Sequence, residues 1–165
     1  MSRIPRRFGR HVARHRRTIV RMQFDTSSST RVDAAAAFDA MADARNEVHW
    51  NTRVTSSRLV SDEPVQTGSK FRTVNRGQTY DAVITTYERP SRLAFEVTGK
   101  QLDITSEIRF SPAGDTTAIE SRFDFRPKGF MKVIFPLMRP MVARDLPVQM
   151  ERFAAFCEQP AAPSS

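Results

Sequence analysis

Apolar and polar positions change their period several times along the chain. Thr18 to Asp25 is β-branched and aromatic with partial alternation, which predicts a first strand, and the cluster Thr26-Ser-Ser-Ser-Thr30 then punctuates it. Asp33 opens an alanine-rich segment, Ala34 to Ala44. There Phe38, Met41 and Ala42 share a helical face, and the Asp33 side chain is suited to cap the first turn. Asp43 to Trp50 predicts a second, shorter helical piece ending at His49-Trp50. From Arg53 to Arg126 the period is two. Turn signals recur at Ser61-Asp62-Glu63-Pro64, Gly68, Arg76-Gly77, Arg89-Pro90-Ser91, Gly99-Lys100 and Pro112-Ala113-Gly114-Asp115, as in an antiparallel meander. Its clearest strands place Leu93, Phe95 and Val97, then Leu102, Ile104, Ser106, Ile108 and Phe110, then Ile119, Ser121, Phe123 and Phe125 on one buried face. Tyr80 to Tyr87 leaves its parity open, because Tyr80, Ala82 and Ile84 fall on one side while Val83 and Tyr87 fall on the other.

Pro127 to Glu158 is helical in period. At ~100° per residue, Phe130, Ile134, Leu137, Met138, Met141, Val142, Val148, Phe153 and Phe156 spread over the half-circle opposite Pro136. Pro136, Pro140 and Pro147 group on the back. An interior proline removes a hydrogen bond and crowds the carbonyl four residues earlier. Grouped toward solvent, the three bend the helix over its apolar side or split it into shorter pieces. A curved amphipathic helix laid across a sheet is expected.

A length of 165 residues suits one core, and 39% apolar residues without a run near ~20 point to a soluble, cytoplasmic globular protein. Cys157 alone forms no internal disulfide, and the scattered His11, His15 and His49 make no clustered zinc set, so no metal and no cofactor is expected. The net charge of +8 has a location: residues 1–22 hold eight arginines (Arg3, Arg6, Arg7, Arg10, Arg14, Arg16, Arg17, Arg21) and no acid. The remaining basic residues balance all 18 acidic ones. The leader lacks the apolar core of a secretory signal. Three readings stay open for it: a disordered leader over 1–18, translation from Met22, or weak contact of residues 1–21 with an anionic membrane or nucleic acid. Residues 19–157 form the expected domain, and 158–165 a disordered tail.

Catalytic motifs are sparse. There is no Gly-x-Ser-x-Gly elbow, no phosphate-cradling glycine loop and no paired-histidine motif, so no catalytic residue is assigned. Two candidates carry titratable chemistry. His49, beside Trp50 and two residues after Glu47, either offers an imidazole at a pocket mouth or closes its helix by packing. Asp145 falls by helical arithmetic in the middle of the apolar face. There it is a cavity carboxylate, a partner of an arginine, or a residue turned out by a helix break. Cys157 reads as an apolar filler, and Ser106 and Ser121 as polar fixings or locally satisfied hydroxyls within apolar strand faces.

The order strand, two short helices, long meander and one long C-terminal helix resembles the helix-grip fold of the START-like (SRPBCC) superfamily, which includes polyketide cyclase/dehydrase-like proteins. Val32-Asp33 to Met41 with Phe38 looks like that family's first helix, and Asn46 to Trp50 like its asparagine-to-tryptophan stretch. Gly68-Ser69-Lys70-Phe71 is similar to the entry to its third strand, and Tyr87-Glu88-Arg89-Pro90-Ser91-Arg92-Leu93 to its glutamate-proline hairpin. The resemblance implies an α+β fold in which a curved antiparallel sheet of about six to seven strands wraps a long helix. It also implies a cavity for lipids, hormones, polyketides or other hydrophobic molecules, with no universal catalytic residue. The expected lining is Trp50, Phe71, Tyr80, Ile84, Phe95, Ile104, Ser106, Ser121, Phe123, Phe135, Met138 and Met141. Binding of a hydrophobic small molecule by a monomer or homodimer is the first expectation. A cyclase or dehydratase working in the same cavity is the second, and peripheral association through the basic leader the third.

Overall fold

The computed structural model describes residues 21–159, so the expectations for the leader and most of the C-terminal tail lie outside the described residues. Strand β1 (Met22–Thr30) leads into α1 (Ala34–Ala42), a 3-10 turn (Ala44–Asn46) and α2 (Glu47–Trp50). The meander follows as β2 (Val54–Leu59), β3 (Lys70–Asn75), β4 (Gln78–Glu88), β5 (Arg92–Gly99), β6 (Leu102–Ala113) and β7 (Thr116–Pro127), before α3 (Met131–Cys157). All seven strands pair antiparallel in the order β1-β7-β6-β5-β4-β3-β2. The first strand therefore closes against the last, and α3 packs back over β1 and β7.

β1 corrects the first expectation. Thr26 to Thr30 does not end the strand but forms its second half, paired with β7 from Met22 opposite Phe125 to Thr30 opposite Thr117. A full ladder overrides the turn preference of serine, and the small hydroxyl side chains at Thr26, Ser28 and Thr30 leave room for α3 to lie close. The Thr30 hydroxyl donates to the Ala154 carbonyl of α3 at 3.1 Å.

At α1 the Asp33 carboxylate accepts from the Ala36 amide at 2.8 Å, capping the helix as expected. The helix ends at Ala42, short of Ala44, because Asp43 turns to cap the next turn by accepting from the Arg45 amide at 3.0 Å. Phe38 drives the fixed face of α1 into the sheet, edge-on to Tyr87 at 4.9 Å and Phe110 at 5.8 Å.

A register shift between Ile84 and Thr86 settles the parity of β4. The bulge adds one residue, so Tyr80, Ala82 and Ile84 share the inner face with Tyr87 beyond it.

α3 runs unbroken through its three prolines. Pro136 and Pro140 are exposed as expected, where water can hydrate the carbonyls that lose their amide partners. The apolar face is narrower than the expected half-circle. Met131, Phe135, Met138, Val142, Leu146, Gln149 and Phe153 follow the inward stripe, whereas Phe130, Leu137 and Val148 are exposed by 75%, 80% and 41%. One sheet face can receive only one stripe of a helix, so the flanks of the half-circle remain outside.

The interior divides in two. One cluster joins α1, the sheet and the C-terminal half of α3 through Phe38, Ile84, Leu93, Phe110, Ile119 and Phe153. The other, at the opposite end, holds Phe24, Phe125 and Phe135 with Met22, Leu102, Ile104, Met131 and Leu146 around them. Phe123 touches both.

Candidate functional site

The gap between the two clusters is a cavity of about 420 Å³, partly open to solvent, with residues of both in its wall. Alternation along the strands aims Tyr80 and Ala82 (β4), Phe95 and Val97 (β5), Leu102, Ile104 and Ser106 (β6) and Phe123 (β7) into it. α3 roofs it with Met131, Phe135, Met138, Met141, Val142 and Leu146. Methionines with three rotatable bonds give that roof an adaptable surface.

Of the expected lining, Trp50, Tyr80, Phe95, Ile104, Ser106, Phe123, Phe135, Met138 and Met141 stand in the wall. Phe71, Ile84 and Ser121 do not. Phe71 and Ile84 are completely buried in the larger cluster, and the Ser121 hydroxyl lies 4.0 Å from the Met150 sulfur under α3. All three point to the inner sheet face, but at positions where α1 and the C-terminal half of α3 cover it. Face parity locates a residue across the sheet and says nothing of its place along it.

Tyr80 holds its position through a neighbour without a side chain. It pairs with Gly99, where a methyl group would lie 2.5 Å from the tyrosine ring and 2.9 Å from the Leu102 carbonyl oxygen. Only glycine lets the ring approach β5 this closely. Burial raises the Tyr80 phenol above its ordinary value, against the opposing charge of Arg76, so it is a neutral hydroxyl at the cavity wall.

The polar groups gather where α2 and β2 meet α3. Glu47, Asn51 and Arg53 come from that junction, and Gln149 from the roof. Asn51 Nδ2 donates to Glu47 Oε1 at 2.8 Å, which lowers the acid's pKa, but burial outweighs this and pushes the Glu47 carboxyl above the ordinary value. Gln149 is 8% exposed, and among the described residues its side-chain oxygen has no hydrogen-bond partner. Sequence reasoning missed this group. The available signals were the i, i+4 spacing of Glu47 and Asn51 and the presence of Gln149 on the same helical stripe as Phe135, Val142 and Phe153.

Neither titratable candidate from the sequence stands in the cavity wall. His49 is exposed and stacks on Phe156, ring centroids 5.8 Å apart and planes 9° from parallel. Asp145 is bound by Arg53 in a salt bridge that ties α3 to the start of β2, one of its expected fates. A second tie, Arg152 Nη1 donating to the Thr52 hydroxyl at 2.8 Å, lies two turns further along α3. Burial pushes the Cys157 thiol up to about 12, which leaves it unreactive at neutral pH. Among the described residues no group of three or more His, Cys, Asp or Glu is placed to hold a metal, and no helix is long and apolar enough to cross a membrane.

The Glu47 shift has a measurable sign. A carboxyl raised in the folded state contributes stability below its unfolded value near 4.5, and that contribution is lost as pH rises through the folded value. Glu47→Gln keeps an oxygen for Asn51 and carries no charge. Its stability relative to the unaltered protein therefore increases as pH rises above 4.5 and is constant below it, in urea denaturation repeated across that range. A flat difference would place Glu47 in water.

A seven-stranded antiparallel sheet that grips one long helix around an apolar chamber is the helix-grip architecture. The family model for polyketide cyclase / dehydrase and lipid transport matches residues 21–158, and the chain belongs to that family. Comparison with curated proteins returns no match. Among solved structures, the chain is similar to the Zhui aromatase/cyclase from Streptomyces sp. R1128, at TM-score 0.72 and 12% identity, covering 88% of this chain and 100% of that one. A START superfamily protein from Mycobacterium smegmatis superposes with TM-score 0.67 and 14% identity over 83% of this chain and 97% of its own. The di-domain ARO/CYC BexL from the BE-7585A biosynthetic pathway gives 0.66 and 14% over 85% of this chain and 51% of its own length. At these identities the neighbours establish a START-like fold and nothing finer.

Proposed function

We propose that this chain binds a hydrophobic small molecule, of lipid or polyketide type, between the sheet and α3. The observation that carries this is the cavity of about 420 Å³, within the ~300–1,000 Å³ range of small-molecule sites and walled mainly by apolar side chains. Desolvation of an apolar ligand supplies the affinity. The unpaired Gln149 oxygen, the Glu47 acid and the Tyr80 hydroxyl supply orientation, so the ligand carries a hydrogen-bonding oxygen or nitrogen at one end. Native mass spectrometry of protein purified without detergent tests the reading. A reproducible excess mass, released on denaturation as an apolar compound, is expected. A clean protein mass that persists after incubation with a lipid and polyketide extract would count against it.

A second reading, cyclase or dehydratase chemistry in the same cavity, rests on Glu47 rather than on His49 or Asp145. A carboxyl that burial pushes above its ordinary value, beside an apolar chamber, is suited to general acid–base work. In a dehydration the protonated Glu47 gives its proton to a leaving hydroxyl, which departs as water. The carboxylate then takes a proton from the adjacent carbon, leaving a double bond. Glu47→Gln separates the readings: binding survives in both, and turnover of a β-hydroxy polyketide substrate falls in the second alone.

A further inference from the structure

The outward face of α3 is composed unlike an ordinary solvated helix. From Gly129 to Arg144 every exposed residue is glycine, apolar or cationic: Phe130, Val133, Leu137, Ala143 and two prolines beside Lys132, Arg139 and Arg144. Phe130, Val133 and Leu137 stand 75%, 67% and 80% exposed, and their i, i+3, i+7 spacing draws them into one stripe. Between Arg126 and Arg144 there is no acidic residue at all. Past Asp145 the exposed surface returns to mixed charge, with Glu151, Arg152 and Glu158. The unusual composition is thus confined to the turns that roof the cavity.

The chain enters the sheet at this same end. Met22 packs in the cluster that contains Met131, and Arg21 binds Asp124 on β7. Arg21, the first described residue, therefore lies near the start of α3, and the sequence before it is rich in arginine. The cations of this α3 surface, with no acidic residue among them, suit an anionic surface. A nucleic acid would satisfy the cations and leave three large apolar side chains in water. The boundary of an anionic bilayer takes both, with cations at the headgroups and apolar side chains at the acyl boundary.

We propose that the outward face of the N-terminal half of α3, centred on Phe130, Val133 and Leu137, docks on an anionic lipid bilayer. This differs from attachment through the leader, because the helix face itself supplies the apolar contact. Docked this way, the protein lies with the cavity roof against the membrane, since Met131, Phe135 and Met138 project from the opposite side of the same turns. The inference does not depend on what the cavity binds.

Co-sedimentation of the full chain with vesicles tests it, using phosphatidylcholine alone and phosphatidylcholine with one-third phosphatidylglycerol. Binding to the anionic vesicles is expected, weakened by high salt. The triple substitution Phe130→Gln, Val133→Gln and Leu137→Gln leaves net charge unchanged and lowers affinity at least about tenfold. Arg144→Gln, the cation on the same side of the helix as the stripe, lowers it roughly fivefold. All four positions are exposed, so thermal melts stay within a few degrees of the unaltered protein. Leu137→Gln alone gives a smaller loss in the same direction if the triple variant folds poorly. Vesicle binding that the apolar substitutions leave unchanged overturns the proposal and assigns attachment to the arginines of the leader. Two other results also overturn it: a duplex oligonucleotide bound in preference to the vesicles, or self-association in sedimentation velocity that the triple substitution abolishes.

Discussion

Phe153→Ala lowers the stability of the fold by about 3–5 kcal/mol, the range for deleting a large aromatic from a close-packed core. Phe153 is completely buried, meets Trp50 edge-on at 5.4 Å, and joins α3 to the cluster that contains Phe38, Ile84 and Leu93. The paired control is Phe130→Ala on the same helix, where 75% exposure leaves little to lose and the change stays within about 0.5 kcal/mol. Urea denaturation of both variants decides the matter. A loss below about 1 kcal/mol at Phe153 would mean that the C-terminal half of α3 is not what fastens the helix to the sheet.

The contrast follows from how burial is distributed along α3. Gln149, Met150, Phe153 and Ala154 are buried in its C-terminal half, while Phe135 is the one buried residue before Gln149. The Arg53–Asp145 and Arg152–Thr52 ties also fall in the second half. The helix is anchored at one end and spans a cavity at the other.

What the sequence disclosed follows the periods on which it was read. The capping at Asp33, the two short helical pieces, the meander and the long helix all have local signatures, and each is found in place. The hydroxyl run of β1 misled because serine favours turns locally, while its pairing with β7 is set by residues about 90 positions later. The β4 parity was unreadable for a related reason: a bulge is a property of a strand pair, and the apolar pattern records only its two sides. On α3, Pro136 and Pro140 lie in solvent as expected, while Pro147 is half-buried. The apolar half-circle opposite them is wider than the buried part, because a helix on one sheet buries a stripe.

The cavity divided in the same way. Inward parity identified Tyr80, Phe95, Ile104 and Phe123, and parity alone could not separate them from Phe71 and Ile84, which lie under covering helices. The polar end went unread because Glu47, Asn51, Arg53 and Gln149 are brought together by the closure of α3 over α2, nearly a hundred residues apart in the chain. His49 offers an imidazole in sequence, but the turn of α2 that sends Glu47 inward sends His49 out to Phe156.

Ile104→Trp is expected to abolish most ligand binding while sparing the fold, a combination that only a real cavity permits. Ile104 lies on β6 between Val97 and Phe125, is partly buried, and faces the chamber. An indole there projects into space that is otherwise empty, so stability changes by less than about 1.5 kcal/mol. Affinity for an apolar probe such as 8-anilino-1-naphthalenesulfonate falls at least about tenfold, because the added ring occupies the volume the probe needs. Ile84→Trp makes the opposite case. Ile84 is completely buried outside the cavity wall, where extra atoms meet close packing and cost about 1–3 kcal/mol without touching the probe's site. Fluorescence titration and urea denaturation of the two variants give a crossed pattern: binding lost and fold kept at 104, fold weakened and binding kept at 84. Equal affinities in both would place the probe elsewhere on the molecule, and an Ile104→Trp variant as destabilised as Ile84→Trp would mean that the space beneath α3 is filled.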